Sequence, residues 1–250
     1  MNAVWILVLV LGSGFDDARS SRFVDAVRSA HGASTTQECE AAARAFEALL
    51  DAEFDSAEVR FNAGNAWLAA DQLGRAIAQY ETATRMRPRD AAIAANLALA
   101  RRRAGQVEPE VDPLDSIVFW QRWLSYAEKA RVTVIGLVFA FGALCIATWT
   151  GRRAWRRVGL VGLALVAVFA VGLVRDVVEH EWTTRGVVAR NGEIARKGAA
   201  AEFAAAFNEP LPEGTTFRVL EQRPEWIHVE IDGGLDAWLP RAAVAFIGSN

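Results

Sequence analysis

The chain has 250 residues, 52% of them hydrophobic, and a formal net charge of −3 from 27 Lys and Arg against 30 Asp and Glu. That near-neutral balance, with no basic patch away from its most apolar segments, argues against nucleic acid as a partner. Two cysteines in separate segments, Cys39 and Cys145, exclude a disulfide framework, and the length suits several small modules better than one large core.

The first apolar stretch, Val4 to Leu11 (VWILVLVL), is too short to span a bilayer. It resembles the hydrophobic region of a secretory signal, with small residues at Gly12, Ser13 and Gly14, although no Lys or Arg precedes it. Residues 1–18 are therefore expected to be a signal peptide or an uncleaved anchor. Cys39, within Gln-Glu-Cys-Glu and with no His close by in the chain, reads as a small buried residue rather than a nucleophile.

Residues 57–88 carry Gly64, Trp67, Ala76, Tyr80, Ala83 and Pro88 at fixed offsets. In these positions the segment resembles the tetratricopeptide repeat, in which small and aromatic residues let two helices pack closely. Arg60 departs from the pattern, standing where the family usually has a large apolar residue. At the family's period of about 34 residues, Phe46 precedes Tyr80, Ala42 precedes Ala76 and Asn96 follows Asn62. A worn repeat from Phe23 to Phe54, a good one, and a capping helix from Asp90 to Ala104 are expected, within a domain spanning 19–107. One repeat cannot bury its apolar face alone, so stacking must supply the core. The resemblance implies a peptide-binding groove in which Asn62, Asn65 and Asn96 hold an extended backbone. The alternative is that Asn62 and Asn96 tie adjacent helices together. Arg101, Arg102 and Arg103 fit the last turn of a helix ended by Gly105.

Glu108 to Pro113 reads as a linker, because two prolines and three acids in six residues cannot continue a helix. Asp115 to Arg131 carries Trp120, Trp123 and Tyr126 on a helical pattern, suited to an interfacial helix; linker and helix together occupy 108–131. Val132–Trp149 and Val158–Val174 contain no ionisable side chain apart from Cys145. Each reaches roughly 25–27 Å as a helix, enough for the hydrocarbon core. Between them, Thr150–Arg157 holds Arg152, Arg153, Arg156 and Arg157. A mid-bilayer Arg costs about 2.5–3.5 kcal/mol, so the turn is expected to stay on the cytoplasmic side and both soluble segments in the periplasm.

After Thr184 the sequence turns to short β-favouring runs punctuated by Gly and Pro. Leu211-Pro-Glu-Gly-Thr215, then Trp226 and Val229, Asp232-Gly233 and Trp238-Leu239 resemble the bacterial SH3 domain, with Ala237 and Leu239 as mild departures. A small all-β barrel over 186–248 is expected. The resemblance implies peptide binding, in secreted proteins often of cell-wall peptides, with Trp226 and Trp238 either lining a groove or filling the core. His228 alternates with Ile227, Val229 and Ile231, so it should share the opposite face with Glu230. His180, in Val178-Glu-His-Glu-Trp182, reads as a solvated collar near the headgroups.

No enzyme motif is present: no P-loop, HExxH, GxSxG or CxxC. In the order of its modules the chain resembles the BatE-type proteins of the bacterial Bat (aerotolerance) operon. The expected architecture is a multidomain one: an all-α tetratricopeptide repeat domain, a two-helix transmembrane hairpin and a C-terminal all-β SH3-like barrel. With no enzyme motif, the expected function is that of a non-enzymatic adaptor of the inner membrane with no cofactor or metal, and the resemblance implies its setting. Its partners would be membrane proteins with von Willebrand A domains and, indirectly, a MoxR-type ATPase. The alternative is a protein that binds or senses peptidoglycan and recruits an enzyme.

Overall fold

A computed structural model describes residues 21–51, 55–106, 120–181, 184–231 and 234–248. The Val4–Leu11 stretch, the Glu108–Pro113 linker, the Asp232–Gly233 turn and the side chains of the Val178–Trp182 cluster lie outside the described residues. The remainder is a mixed helical and β protein in two compact units.

In the first unit the chain begins with α1 (residues 21–32), then α2 (Thr36–Asp51), α3 (Ala57–Ala69), α4 (Leu73–Met86) and α5 (Ala91–Arg103). The starts of α2, α3 and α5 are written locally. Thr35 and Glu38 exchange bonds at the head of α2: the Glu38 amide donates to Thr35 Oγ1 at 3.2 Å and the Thr35 amide donates to Glu38 Oε2 at 3.0 Å. This is a capping box. The Ser34 amide also donates to Glu38 at 2.7 Å, and these donors push the Glu38 carboxyl down to about 2. Ser56 caps α3, and Asp90 caps α5.

The helices meet through small residues. A Cβ on Gly64 would lie 2.6 Å from the Tyr80 ring, so only Gly lets α3 approach α4 so closely. Ala42, Ala43, Trp67, Ala76, Ile77 and Tyr80 form one cluster, and Ala26, Phe46, Leu49, Val59 and Ala63 a second, with Phe23 set edge-on to Phe46 at 6.1 Å. Arg60 is buried but paired: Nε and Nη2 each donate to Asp55 at 2.8 Å, and Nη1 donates to Gln79 at 3.1 Å. An unpaired buried guanidinium would be costly, so the departure at this place is accommodated by a carboxylate five residues earlier.

The same unit contains an antiparallel sheet of β1 (Arg185–Val188), β2 (Thr216–Gln222), β3 (Trp226–Ile231), β4 (Leu235–Pro240) and β5 (Val244–Ile247), in the order β4-β3-β2-β1-β5. A 3₁₀ turn, Arg241–Ala243, joins β4 to β5, and a bulge interrupts the β2–β3 ladder between Val219 and Glu221. Val188, Phe217, Ile227, Val229, Ala237 and Leu239 fill the core of this sheet. Gly186 is required in β1 because a Cβ there would lie 2.6 Å from the Phe217 ring.

The helical layer and the sheet, expected as separate domains over 19–107 and 186–248, share a core. Val187 and Ile247 belong to the same buried cluster as Trp67, Ile77 and Tyr80. The reason lies in α4, which buries two faces. Ala76, Tyr80 and Ala83 are fully buried on the side toward α3. Gly74, Ile77 and Thr82 meet the strands: a Cβ on Gly74 would run into the carbonyl oxygen of Val188, Ile77 lies against Gly214, and the Gly248 amide donates to Thr82 Oγ1 at 2.9 Å.

The second unit contains α6 (Trp120–Trp123), α7 (Tyr126–Thr150) and α8 (Arg153–Glu181). Over Tyr126–Thr150 and Arg153–Val177 these helices are long and apolar enough to cross a membrane, and only 11% of each apolar window is buried. Val134, Phe139, Phe141, Trp149 and Val171 are all more than 60% exposed, which distinguishes the pair from core helices of a water-soluble domain. Glycines let the two helices touch. A Cβ on Gly159 would lie 2.6 Å from Leu144, and one on Gly162 3.0 Å from Ala140.

Two boundaries differ from the sequence expectation. The interfacial helix is not continuous to Arg131: it breaks at Ser125, which makes a capping box with Glu128 and starts α7 afresh. The eight-residue turn Thr150–Arg157 narrows to Gly151 and Arg152, since Gly151 closes α7 with φ 65° and α8 begins at Arg153. Glycine adopts that left-handed geometry without strain.

Candidate functional site

A groove of about 290 Å³ opens among α1, α2 and α3. Its walls are mostly small and apolar, with five alanines, among them Ala33, Ala42 and Ala66, beside Cys39. Its polar groups are His31, Asn62 and Asn65. His31 is already engaged, Nδ1 lying 2.9 Å from the Val27 carbonyl oxygen. Cys39 is buried, as the sequence suggested.

The three asparagines divide into two roles. Asn65 Oδ1 accepts from Tyr80 Oη and from Asn96 Nδ2, each at 2.7 Å, so it joins α3 to α4 and α5. Burial pushes the Tyr80 phenol up from its ordinary value, a rise that a hydrogen bond with Asn96 opposes, and its hydroxyl donates to Asn65. Asn96 is therefore a brace, outside the residues that line the groove. Asn62 folds onto its own helix, Nδ2 donating to the Glu58 carbonyl at 2.8 Å. Asn62 Oδ1 and Asn65 Nδ2 have no partner among the described residues. The groove thus offers one acceptor and one donor three residues apart on α3, the complement of a peptide group.

A polar network that the sequence pattern does not reveal joins the helices outside the groove. Trp67 Nε1 donates to Glu47 Oε1 at 2.8 Å, Gln79 Nε2 donates to the same oxygen at 3.2 Å, and Arg75 lies 4.6 Å over the Trp67 ring. It links α2, α3 and α4, and nothing in the local pattern around Glu47 announces it.

On the sheet, Trp226 is half-buried and Trp238 is 9% exposed. The Trp238 ring is covered: His228, its cross-strand neighbour, stacks on it at 4.7 Å with an interplanar angle of 9°, and Arg223 lies 4.4 Å from its centroid. His228 Nε2 also lies 2.9 Å from Asp236 Oδ2, while Arg223 reaches Glu221 at 2.9 Å and holds that carboxyl below its usual range. His228 alternates with buried Ile227 and Val229, as its place in the strand requires. Trp226 and Trp238 lie outside the groove that Asn62 and Asn65 line.

Glu213, in the Leu-Pro-Glu-Gly turn, has an unexpected position. Its Oε1 accepts from the Gly74 amide at 2.8 Å, so the sheet's own loop caps the N-terminus of α4. Partial burial raises its carboxyl above the ordinary range, and the nearby Asp71 adds to the rise while the backbone amides of Gly74 and Leu73 oppose it. Arg101 and Arg103, read as helix-end cations, also bind across helices, to Glu81 at 2.7 Å and Asp71 at 2.6 Å. Among the described residues no group of three or more His, Cys, Asp or Glu converges as metal ligands.

Compared with known protein families, curated proteins and solved structures, the chain matches none.

Proposed function

We propose that the protein is a non-enzymatic adaptor whose hairpin spans the bacterial inner membrane and whose helical layer and sheet face the periplasm. The helices form a short tetratricopeptide repeat array, and the strands an SH3-like barrel. In favour of the first, Gly64, Trp67, Ala76, Tyr80 and Ala83 occupy the buried places that the repeat demands. In favour of the second are the strand order and the 3₁₀ turn before β5. The shared core also constrains topology. Helices before the hairpin pack with strands after it, which supports placing both on one side of the bilayer, as two crossings allow.

The observation that carries the reading is the groove, with the unused donor and acceptor of Asn65 and Asn62 above a floor of alanines. Such a surface takes an extended segment of a partner protein, and a Bat-type complex with von Willebrand A-domain membrane proteins is the setting we propose. Peptidoglycan binding through the sheet is the weaker reading, because Trp238 is covered by His228 and Arg223.

Crosslinked co-purification from native membranes, followed by affinity measurement with the captured partner, tests this. Asn62→Ala removes a groove acceptor whose side chain, among the described residues, bonds only to its own helix, so affinity should fall about threefold to tenfold with an unchanged melting curve. Unaltered affinity, with capture by wall sacculi instead, would remove the groove from the account.

A further inference from the structure

We infer that the turn of the hairpin is a docking surface for the headgroups of anionic phospholipids, with Arg152, Arg153, Arg156 and Arg157 holding their phosphates. The inference rests on the membrane-spanning reading of α7 and α8. Arg153, Arg156 and Arg157 fall at i, i+3 and i+4 of α8, so they share one face of its first turns, and Arg152 immediately precedes them. All four are exposed, and none has a hydrogen-bond or ion-pair partner among the described residues.

Among the described residues none pairs with them. From Val132 to Arg175 the sequence has no Asp or Glu. The opposite end of the hairpin is different: there Lys129 is buried and donates to Asp176 at 2.7 Å and Gln121 at 2.8 Å. One end pairs its buried cation within the hairpin, and the other carries four cations with no partner among the described residues.

Three further properties fix the chemistry of the occupant. The turn joins two bilayer-length helices, so its guanidinium groups sit at headgroup depth. The first amides of α8 have no intrahelical acceptor and add the positive end of the helix dipole at the same place. Trp149, 91% exposed, and Trp155, 39% exposed, flank the cluster as interfacial aromatics do. Guanidinium binds phosphate oxygens in a bidentate manner, and a net-negative headgroup is favoured over a zwitterionic one by the summed field.

The test uses the full chain with Cys39→Ser, Cys145→Ser and Ala154→Cys, labelled with a donor fluorophore and reconstituted in mixed phosphatidylcholine and phosphatidylglycerol vesicles. Energy transfer to headgroup-labelled phosphatidylglycerol should report enrichment of about fivefold or more over phosphatidylcholine, since each basic side chain at an anionic surface shifts partition by about that factor. Changing the four arginines to Gln should return local lipid to bulk composition. Alkaline carbonate extraction separates the two ideas. A chain that resists extraction yet shows no phosphatidylglycerol preference overturns the lipid site alone. A chain released by carbonate overturns the spanning reading and the site with it. Loss of the enrichment on adding inorganic phosphate would assign the cluster to a free anion and overturn the lipid assignment.

Discussion

Asn65 and Asn62 are one helical turn apart on α3, yet their substitution should have opposite consequences. Asn65→Ala leaves the fully buried Tyr80 hydroxyl and the Asn96 amide without their shared acceptor. Unsatisfied buried polar groups cost about 1–3 kcal/mol, so a urea melt should show a loss in that range. Asn62→Ala removes a half-buried side chain bonded to its own helix and should change stability by less than about 0.5 kcal/mol. Equal losses in the two variants would mean that Asn62 also braces the helices. Glu213 supplies a pH dependence. Its folded-state value is raised above the ordinary one of 4.5, so the folded chain keeps this proton to a higher pH than the unfolded chain. Its contribution to stability is therefore fully present below about 4.5 and is lost as pH rises through the folded value. Glu38 has the opposite sign. Lowered to about 2 from 4.5, it contributes stability above 4.5 that disappears as pH falls through about 2. Glu213→Gln keeps an acceptor for Gly74 and abolishes the slope just above 4.5, while the acid limb from Glu38 survives; melting curves across pH should separate the two.

At the scale of elements, α4 explains why helices and strands are inseparable. Its Gly74 approaches the β1 backbone so closely that Gly74→Ala must push Val188 and Ala189 away. Overpacking of this kind costs about 1–3 kcal/mol, and here the displaced atoms are backbone rather than a flexible side-chain end. Thermal melts of Gly74→Ala should show a drop of that size in both the helical and the sheet signals. A drop confined to the helical signal would contradict the shared core. The element boundaries were partly legible. Thr35-x-x-Glu38 and Ser125-x-x-Glu128 are capping-box patterns visible in the sequence, and the second places the break before α7 that aromatic spacing alone does not reveal. Glu213 capping α4 was not legible, because the partner amide lies 139 residues away.

For the whole molecule, the shared cluster of Trp67, Ile77, Tyr80, Val187 and Ile247 predicts one cooperative unfolding transition for the helical layer and sheet together. A fragment ending before the hairpin loses the cover on α4 and should unfold at lower denaturant than the full chain. An equally stable fragment would argue that the sheet contributes nothing to that core. Orientation gives a second test. A cysteine replacing Ala154 should label only with a permeant reagent, whereas one replacing the exposed Asp236 should label from the periplasm. Labelling of Asp236→Cys only after inner-membrane disruption would reverse the proposed topology.

The sequence by itself determined the features written in short-range pattern. The two apolar helices, the small-residue contact of Gly64 with Tyr80, the cap-bearing helix starts and the alternation along β3 are local consequences of hydrophobic period and side-chain size. Only the tertiary structure decided which polar groups are spent and which remain available. Asn65 and Asn96 occupy equivalent-looking sites to Asn62, but hydrogen bonding across helices consumes them in different ways. Trp238 could face solvent or core until His228 and Arg223 close over it. The second buried face of α4, with Gly74, Ile77 and Thr82, acquires its meaning only when strands from beyond the hairpin fold back onto it. Such choices depend on contacts between residues far apart in the chain, and local periodicity carries no information about them.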